Sequence, residues 1–377
     1  MAGASLHESF KHATSCSWSI PSARIRSAPL ARAEIRNRFC EAFSATRSKD
    51  PFLLNVPVTG NPYRLNARGE EKTRKESHFH MCTASLQANT LSNTAVLPVR
   101  PQPRTPPFHA LITGSTKGIG FALARKFLQE GDKVIICSRS GENVDKAVES
   151  LTQEFGEQRV FGIPADVRDG ESVQRLIKFA QEKIGYIDIW INNAGSNAYS
   201  YKPLVETNDE VIMEIVETNT IGVMICCREA IKMMMNQDCG GHIFNMDGAG
   251  ADGRPTPRFA AYGATKRSLL QLTKSLQAEL KMQRIKNVVI HMLSPGMVTT
   301  DLLMSGSDTP QAKFFINVLA EPAETVAEFL VPRVRGLSEN GSTKPTYIRF
   351  LTGFKAYSQI LSRLLFNARK NRYVREE

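Results

Sequence analysis

Tyr262 and Lys266 stand four residues apart in Tyr262-Gly263-Ala264-Thr265-Lys266, so on a helix they share one face. A phenol has a pKa of about 10, too high for ready proton exchange near neutrality. A neighbouring ammonium favours the phenolate and lowers that value. The pair can then pass a proton to a carbonyl oxygen while a hydride reaches the carbon. Y-x-x-x-K alone is a common accident. Here it follows a glycine-rich turn by about 140 residues, after four strand–helix cycles, and chance explains that order poorly.

The turn is Thr113-Gly114-Ser115-Thr116-Lys117-Gly118-Ile119-Gly120. A dinucleotide pyrophosphate needs a tight turn, close backbone approach and a helix N-terminus with free N–H groups. Gly114 suits the turn, and Gly118 and Gly120 leave room for phosphate and for helix-on-strand packing. The spacing G-x-x-x-G-x-G departs from the common G-x-G-x-x-G, but the context of strand before and helix after is the required one. A carboxylate at the end of the second strand would favour a free ribose 2′-hydroxyl. Ser138-Arg139 stands there instead, and Lys117 lies in the turn. Two cations and a hydroxyl suit a 2′-phosphate, which predicts NADPH over NADH. The bland reading is that both cations are solvated surface charges.

Alternating elements position these groups. Residues 108–113 (FHALIT) predict a strand, 119–130 a helix ended by Gly131, and 133–138 (KVIICS) a second strand. Strands follow at 160–167, 187–195, 242–246 and 287–296, with helical stretches at 208–235 and 260–284. The alternation predicts an α/β doubly wound Rossmann fold, a single parallel sheet with helices on both faces.

Composition bounds the rest. Apolar residues are 42% and charged residues 23%, ordinary for a globular chain, and no run of eighteen apolar residues without charge predicts a spanning helix. Of the net charge of +11, residues 1–104 carry +8. The basicity thus lies outside the folded body, and no nucleic-acid partner is expected. Residues 1–50 hold nine Ser and eight Lys+Arg against four acids, the composition of an organelle transit peptide; the alternative is a plain disordered tail. Residues 51–107 end in five prolines within ten residues and predict a stiff linker. The folded domain is expected over 108–342. Seven scattered Cys without a C-x-x-C pair argue against a disulfide framework or metal site. Vicinal Cys226 and Cys227 fit either a redox switch or, as small apolar groups, a buried helix face.

In these motifs the chain resembles the short-chain dehydrogenase/reductase family over residues 108–300. T-G-x-x-x-G-x-G is Thr113–Gly120. Asp166-Val167 matches the adenine-contacting pair, and Asn192-Asn193-Ala194-Gly195 the N-N-A-G strand end. Asn219 matches the helix asparagine of a proton relay, and Tyr262 and Lys266 the catalytic pair. Pro295-Gly296-Met297-Val298-Thr299-Thr300 matches the segment that holds the nicotinamide carboxamide. The resemblance implies seven strands, NADPH at Gly114, Ser115, Lys117, Gly118, Ile119, Gly120, Ser138, Arg139, Asp166, Val167, Asn193, Ala194, Gly195, Pro295, Gly296, Val298 and Thr300, and a dimer or tetramer. Lys266 would lower the Tyr262 pKa and hold the nicotinamide ribose.

One departure matters. The family places a carbonyl-polarising serine about thirteen residues before the tyrosine, where this chain reads Asn245-Met246-Asp247-Gly248-Ala249-Gly250. Either catalysis is lost, or the carbonyl is held otherwise, with Asp247 as a protonated or water-bridged donor among the options. Residues 245–257 and 261–268 further resemble the plant chlorophyll(ide) b reductases that lack spanning helices. That implies a tetrapyrrole substrate whose 7-formyl group is reduced, in the first step of chlorophyll b degradation. It also implies peripheral contact with the stromal side of the chloroplast thylakoid, and a homo- or hetero-oligomer with a membrane-bound reductase isoform. Reduction of another plastid carbonyl such as a 3-oxoacyl thioester, and a non-catalytic NADP-binding scaffold, remain open.

The resemblance implies a lid over residues 301–325, which Leu303, Met304, Phe314, Phe315 and Leu319 with a hinge at Gly306 would suit; the same residues also read as ordinary core helices. Residues 343–377 read as a basic amphipathic tail: Phe350, Leu351, Phe354, Tyr357, Leu361, Leu364 and Leu365 recur at helical spacing among cations. It would lie on an anionic membrane or pack on protein.

Overall fold

A computed structural model describes residues 103–376. The transit-like segment 1–50, and all of the 51–107 linker before Pro103, lie outside the described residues.

Seven parallel strands form one sheet: β1 (His109–Thr113), β2 (Lys133–Ser138), β3 (Val160–Pro164), β4 (Ile189–Asn192), β5 (Gly241–Met246), β6 (Val288–Ser294) and β7 (Tyr347–Arg349). Their order across the sheet is β3-β2-β1-β4-β5-β6-β7, the doubly wound arrangement with its reversal between β1 and β4. Helices cover both faces, so the central strands are buried at every position rather than alternately, polar His109, Thr113, Asn192, His242 and Asn245 included. Ala110 and Ile112 join the layer under α1 (Gly118–Gln129), α2 (Gly141–Phe155) and a late helix, Ala323–Glu339; Leu111 joins the layer under α3 (Gly170–Ile184) and two later helices, Gly222–Met235 and Ala260–Met282. In chain order the helices after α3 are α4 (Asp209–Val216), α5 (Gly222–Met235), α6 (Ala260–Met282), α7 (Asp301–Met304), α8 (Pro310–Leu319), α9 (Ala323–Glu339) and α10 (Gly353–Phe366).

Local chemistry sets the boundaries. Gly131 takes φ +89° just past α1, where the chain must leave the helix in a left-handed turn. The Asp169 carboxylate accepts from the N–H groups of Glu171 and Ser172 and starts α3.

Several boundaries differ from the sequence reading. The strand expected over 160–167 stops at Pro164, which leaves Asp166 and Val167 in the loop. The one expected over 187–195 stops at Asn192. The stretch 208–235 is a continuous helical path interrupted by a π-turn at Glu217–Ile221. The separate tail expected from residue 343 is corrected. Tyr347–Arg349 pairs with β6 and completes the sheet, and Phe350 is buried against the core. Three residues are too few for a strand period to register in sequence. Cys226 and Cys227 are free thiols buried under the sheet, and burial pushes both up in pKa. That matches the apolar-packing reading and leaves no exposed thiolate for a switch.

Candidate active site

The reversal between β1 and β4 opens a crevice at the strands' carboxyl ends. Gly114 and Gly118 take φ +62° and +58°. A Cβ on Gly114 would fall 2.8 Å from Ala194 Cα, and one on Gly120 would fall 2.4 Å from both Gly114 O and Asn193 Nδ2. The turn is thus seated directly on the end of β4. Asn193 Nδ2 donates to the carbonyls of Thr113 and Gly114 at 2.9 Å, and the Asn193 and Ala194 N–H groups donate to Thr113 Oγ1 at 3.1 and 3.0 Å. Thr113 is therefore the pin between the two strands. Helix α1 starts at Gly118 with no side-chain cap, so the N–H groups of Gly118, Ile119 and Gly120 are free to meet an anion. The cradle fits a dinucleotide pyrophosphate.

Ser115 plays a different part from the one expected. It is fully buried, its hydroxyl donates to Ile112 O, and both its N–H and its hydroxyl bond Cys137 in β2. It braces the turn from beneath. The two cations engage different partners. Lys117 reaches Asp301, the first residue of α7, at 3.1 Å and the Tyr199 hydroxyl, in the loop after β4, at 3.0 Å. Arg139, beyond Ser138 at the end of β2, lies 3.7 Å from Glu214. No carboxylate follows Ser138 in the chain until Glu142. Asp166 is forked by Arg168, with bonds of 2.7 to 3.0 Å. Val167 packs under α5, where a Cβ on Gly222 would fall 2.8 Å from its Cγ2.

At the other end of the crevice, Gly296 turns with φ +73° after Pro295, against Leu351. Val298 is buried, and Thr300 Cγ2 lies 3.2 Å from the Cβ position of Gly118. The segment after β6 therefore adjoins the glycine turn.

Between these ends α6 carries Tyr262 and Lys266. Lys266 is buried, and its Nζ donates to Met246 O at 3.3 Å and lies 3.5 Å from the Cβ position of Gly195. Tyr262 is half-buried, with its hydroxyl tucked against Gly248. The Lys266 ammonium stands 5.6 Å from the Tyr262 ring centre. Burial lowers the Lys266 pKa to about 8. The tyrosine corrects an expectation: burial, aided by the Asp247 charge, holds its pKa well above the ordinary phenol value rather than below it. Desolvation is the larger cause, because taking a phenolate out of water is costly, and the Asp247 charge adds to it. Asn219 is fully buried within the π-turn. Its Nδ2 donates to Ser196 O at 2.8 Å and Thr265 Oγ1 at 3.1 Å, and its Oδ1 accepts from Ser196 N at 2.8 Å. Its side chain thereby ties the chain after β4 to α6.

The position of the missing serine is filled without a hydroxyl. Asp247 is buried and its carboxylate is engaged by the Tyr347 hydroxyl of β7, so it is not a free donor to a carbonyl. Tyr347 escaped the sequence reading because nothing local marks a residue that meets the site from 100 positions away. Gly306 is not a hinge of positive φ; a Cβ there would fall 2.3 Å from the Tyr201 ring. The 301–325 segment is latched: Tyr201 donates to Leu302 O at 2.6 Å, and Arg258 pairs with Asp308 at 2.9 Å. Beside Tyr262 a small cleft is lined by apolar Leu204, Val211, Ile215 and Phe259 together with polar Lys202, Thr207 and Arg258.

Comparison with known proteins agrees with this geometry. The family model described as short chain dehydrogenase matches residues 108–311. The chain is similar to "Chlorophyll(ide) b reductase NOL, chloroplastic" of Oryza sativa subsp. japonica, at 69% identity over 272 residues, covering 72% of this chain and 79% of that protein. The protein of the same name from Arabidopsis thaliana is 68% identical over 276 residues, covering 73% of this chain and 79% of that one. Among solved structures, an alcohol dehydrogenase from the archaeon Thermococcus sibiricus complexed with 5-hydroxy-NADP superposes with a TM-score of 0.54 at 26% identity, over 64% of this chain and 95% of that one. The chain belongs to the short-chain dehydrogenase family.

Proposed function

We propose that this oxidoreductase reduces the 7-formyl group of chlorophyll(ide) b to the 7-hydroxymethyl form, using NADPH. The observation that carries the reading is the 69% identity with the rice reductase, over a stretch of 272 residues. The intact Tyr262–Lys266 pair on α6 supports an active enzyme over a scaffold. The bound cofactor would supply the hydride. The free N–H groups of Gly118, Ile119 and Gly120 would bind its pyrophosphate, Arg139 and Ser138 its 2′-phosphate, Asp166-Val167 the adenine, and Asn193-Ala194-Gly195 with Pro295–Thr300 the nicotinamide side.

Tyr262 delivers the proton to the carbonyl oxygen. Its raised pKa keeps it protonated at neutral pH, the form a reduction requires. The Lys266 ammonium favours the phenolate left behind. Asn219 has both amide donors engaged, so its part in returning the proton falls to its backbone and to the placement of Ser196 and Thr265.

The names of both plant relatives carry the word chloroplastic, and the same compartment is proposed here, with peripheral contact at the stromal face of the thylakoid. Helix α10 supports that contact because its polarity is inverted. Phe354, Tyr357, Leu361, Leu364 and Leu365 face solvent, with Phe354 86% exposed, whereas Arg363 is buried against Glu376. Residues 344–377 hold eight Lys+Arg and two acids, which suits an anionic lipid surface. Assembly with a second copy, or with a membrane-bound reductase isoform, belongs to the same reading.

Purified full-length chain is incubated with NADPH and either chlorophyll b or an acetoacetyl thioester. Conversion of the pigment to its 7-hydroxymethyl product is expected. Turnover of the thioester alone would move the reading to another carbonyl, and turnover of neither, with NADPH bound, would move it to a scaffold.

A further inference from the structure

The end of β5 and the corner after it bring three consecutive residues beside the Tyr262–Lys266 pair. Met246 accepts the hydrogen bond of Lys266 Nζ. Asp247, only 7% exposed, accepts from the Tyr347 hydroxyl. Gly248 lies against the Tyr262 hydroxyl. The Arg349 guanidinium covers the Tyr347 ring at 3.9 Å. The groups that face Asp247 are thus Tyr347 and Arg349 from β7, Ser294 from β6, and Lys266 and Tyr262 from α6.

A buried ammonium whose hydrogen bond goes to one neutral carbonyl is costly to keep charged. Asp247 stands between Met246, whose carbonyl meets Lys266 Nζ at 3.3 Å, and Gly248, whose Cβ position lies 3.2 Å from Lys266 Cγ, so its carboxylate acts on the ammonium at short range without a direct ion pair. Its backbone is held as firmly as its side chain, since its N–H donates to Leu293 O at 2.8 Å. A braced carboxylate of this kind is a fixed negative charge that costs no reorganisation during a reaction.

We propose that Asp247, braced by Tyr347, is the counter-ion that keeps Lys266 protonated, and is thereby a positioning residue for proton delivery by Tyr262. The proposal rests on the Tyr262–Lys266 pair being the reactive one, as argued above.

The signs follow from burial. It pushes the Asp247 carboxyl up to about 6 and Lys266 down to about 8. The charged pair exists between these values. Below them Asp247 takes up a proton; above them Lys266 loses one.

Two quantities are measured against pH on the full chain: NADPH affinity, from cofactor fluorescence, and kcat/KM for reduction of chlorophyll b. Asp247→Asn removes the carboxylate, so the alkaline limb moves down by about one pH unit and the acid limb disappears. Tyr347→Phe removes a hydrogen bond that favours ionised Asp247, so the acid limb moves up and the alkaline limb stays. Asp247→Glu restores the parent limbs in part. A structural role alone would lower both quantities equally at every pH, and limbs unmoved in Asp247→Asn overturn the proposal. Should that variant fail to fold, an acid limb unmoved in Tyr347→Phe overturns it instead. Limbs of NADPH affinity that move as stated, with no pigment reduced, sustain the counter-ion and reject the substrate.

Discussion

A Cβ built on Gly248 falls 2.4 Å from the Tyr262 hydroxyl and 3.1 Å from its ring Cζ. The residue after Asp247 is therefore the floor on which the Tyr262 hydroxyl rests. Any side chain there must push the tyrosine aside. The absence of a serine at this corner is thus built into the position of Tyr262 and is more than a lost hydroxyl.

Gly248→Ser is expected to lower kcat by roughly a hundredfold, because displacing a reacting group by about 1 Å costs that much. NADPH affinity should stay near the parent value, since the glycine turn is untouched. Single-turnover pigment reduction gives the rate. A faster variant would mean that the corner accepts the hydroxyl and that the parent site merely lacks it.

Tyr262→Phe removes the proton and keeps the ring. Turnover should fall by about 10² to 10⁴, the usual contribution of a positioned acid. Binding of NADPH should be retained. Steady-state kinetics beside a fluorescence titration separate the two effects, and a scaffold would show no change in any partner-supported activity.

Arg139 is the cation left at the end of β2, and Glu214 stands 3.7 Å from it. Arg139→Ala should reduce the kcat/KM preference for NADPH over NADH by roughly tenfold, the worth of one charge-assisted bond to phosphate. Glu214→Gln should sharpen the preference by releasing the guanidinium. An NADPH preference left unchanged by Arg139→Ala, or an NADH preference in the parent, would reject the 2′-phosphate assignment.

A chain cut after Ser342 would lose β7 as well as α10, so deletion cannot isolate the outward apolar face. Replacing Phe354, Leu361 and Leu365 together by Ser leaves the sheet intact. Co-sedimentation with vesicles containing anionic lipid should weaken more than about tenfold, given the transfer free energy of even one large apolar side chain. Parent binding should also fall as salt rises. Unchanged binding by the triple variant would remove α10 from the membrane contact.

Much of this protein was legible in its linear order. The alternation of apolar runs with helical spacing predicted the doubly wound sheet, because strands buried on both faces must be apolar throughout and covering helices must be amphipathic. The glycines at 114, 118 and 120 were legible because contacts within one turn depend on neighbours in the chain. Tyr262 and Lys266 were legible for the same reason, since helical periodicity alone puts them on one face.

What the chain order left undecided depends on approach in three dimensions. β7 is three residues long and is a strand only because β6 lies beside it. Ser115 faces inward and Lys117 faces Asp301, placements made by the packing of β2 and of the start of α7. The direction of the Tyr262 pKa shift was decided by burial, a property of the assembled site, while sequence supplied only the ammonium. The bond from Tyr347 to Asp247 joins residues 100 positions apart. Local pattern determines which elements form. Desolvation and long-range pairing exist only once those elements have packed, and they decided what the reactive groups became.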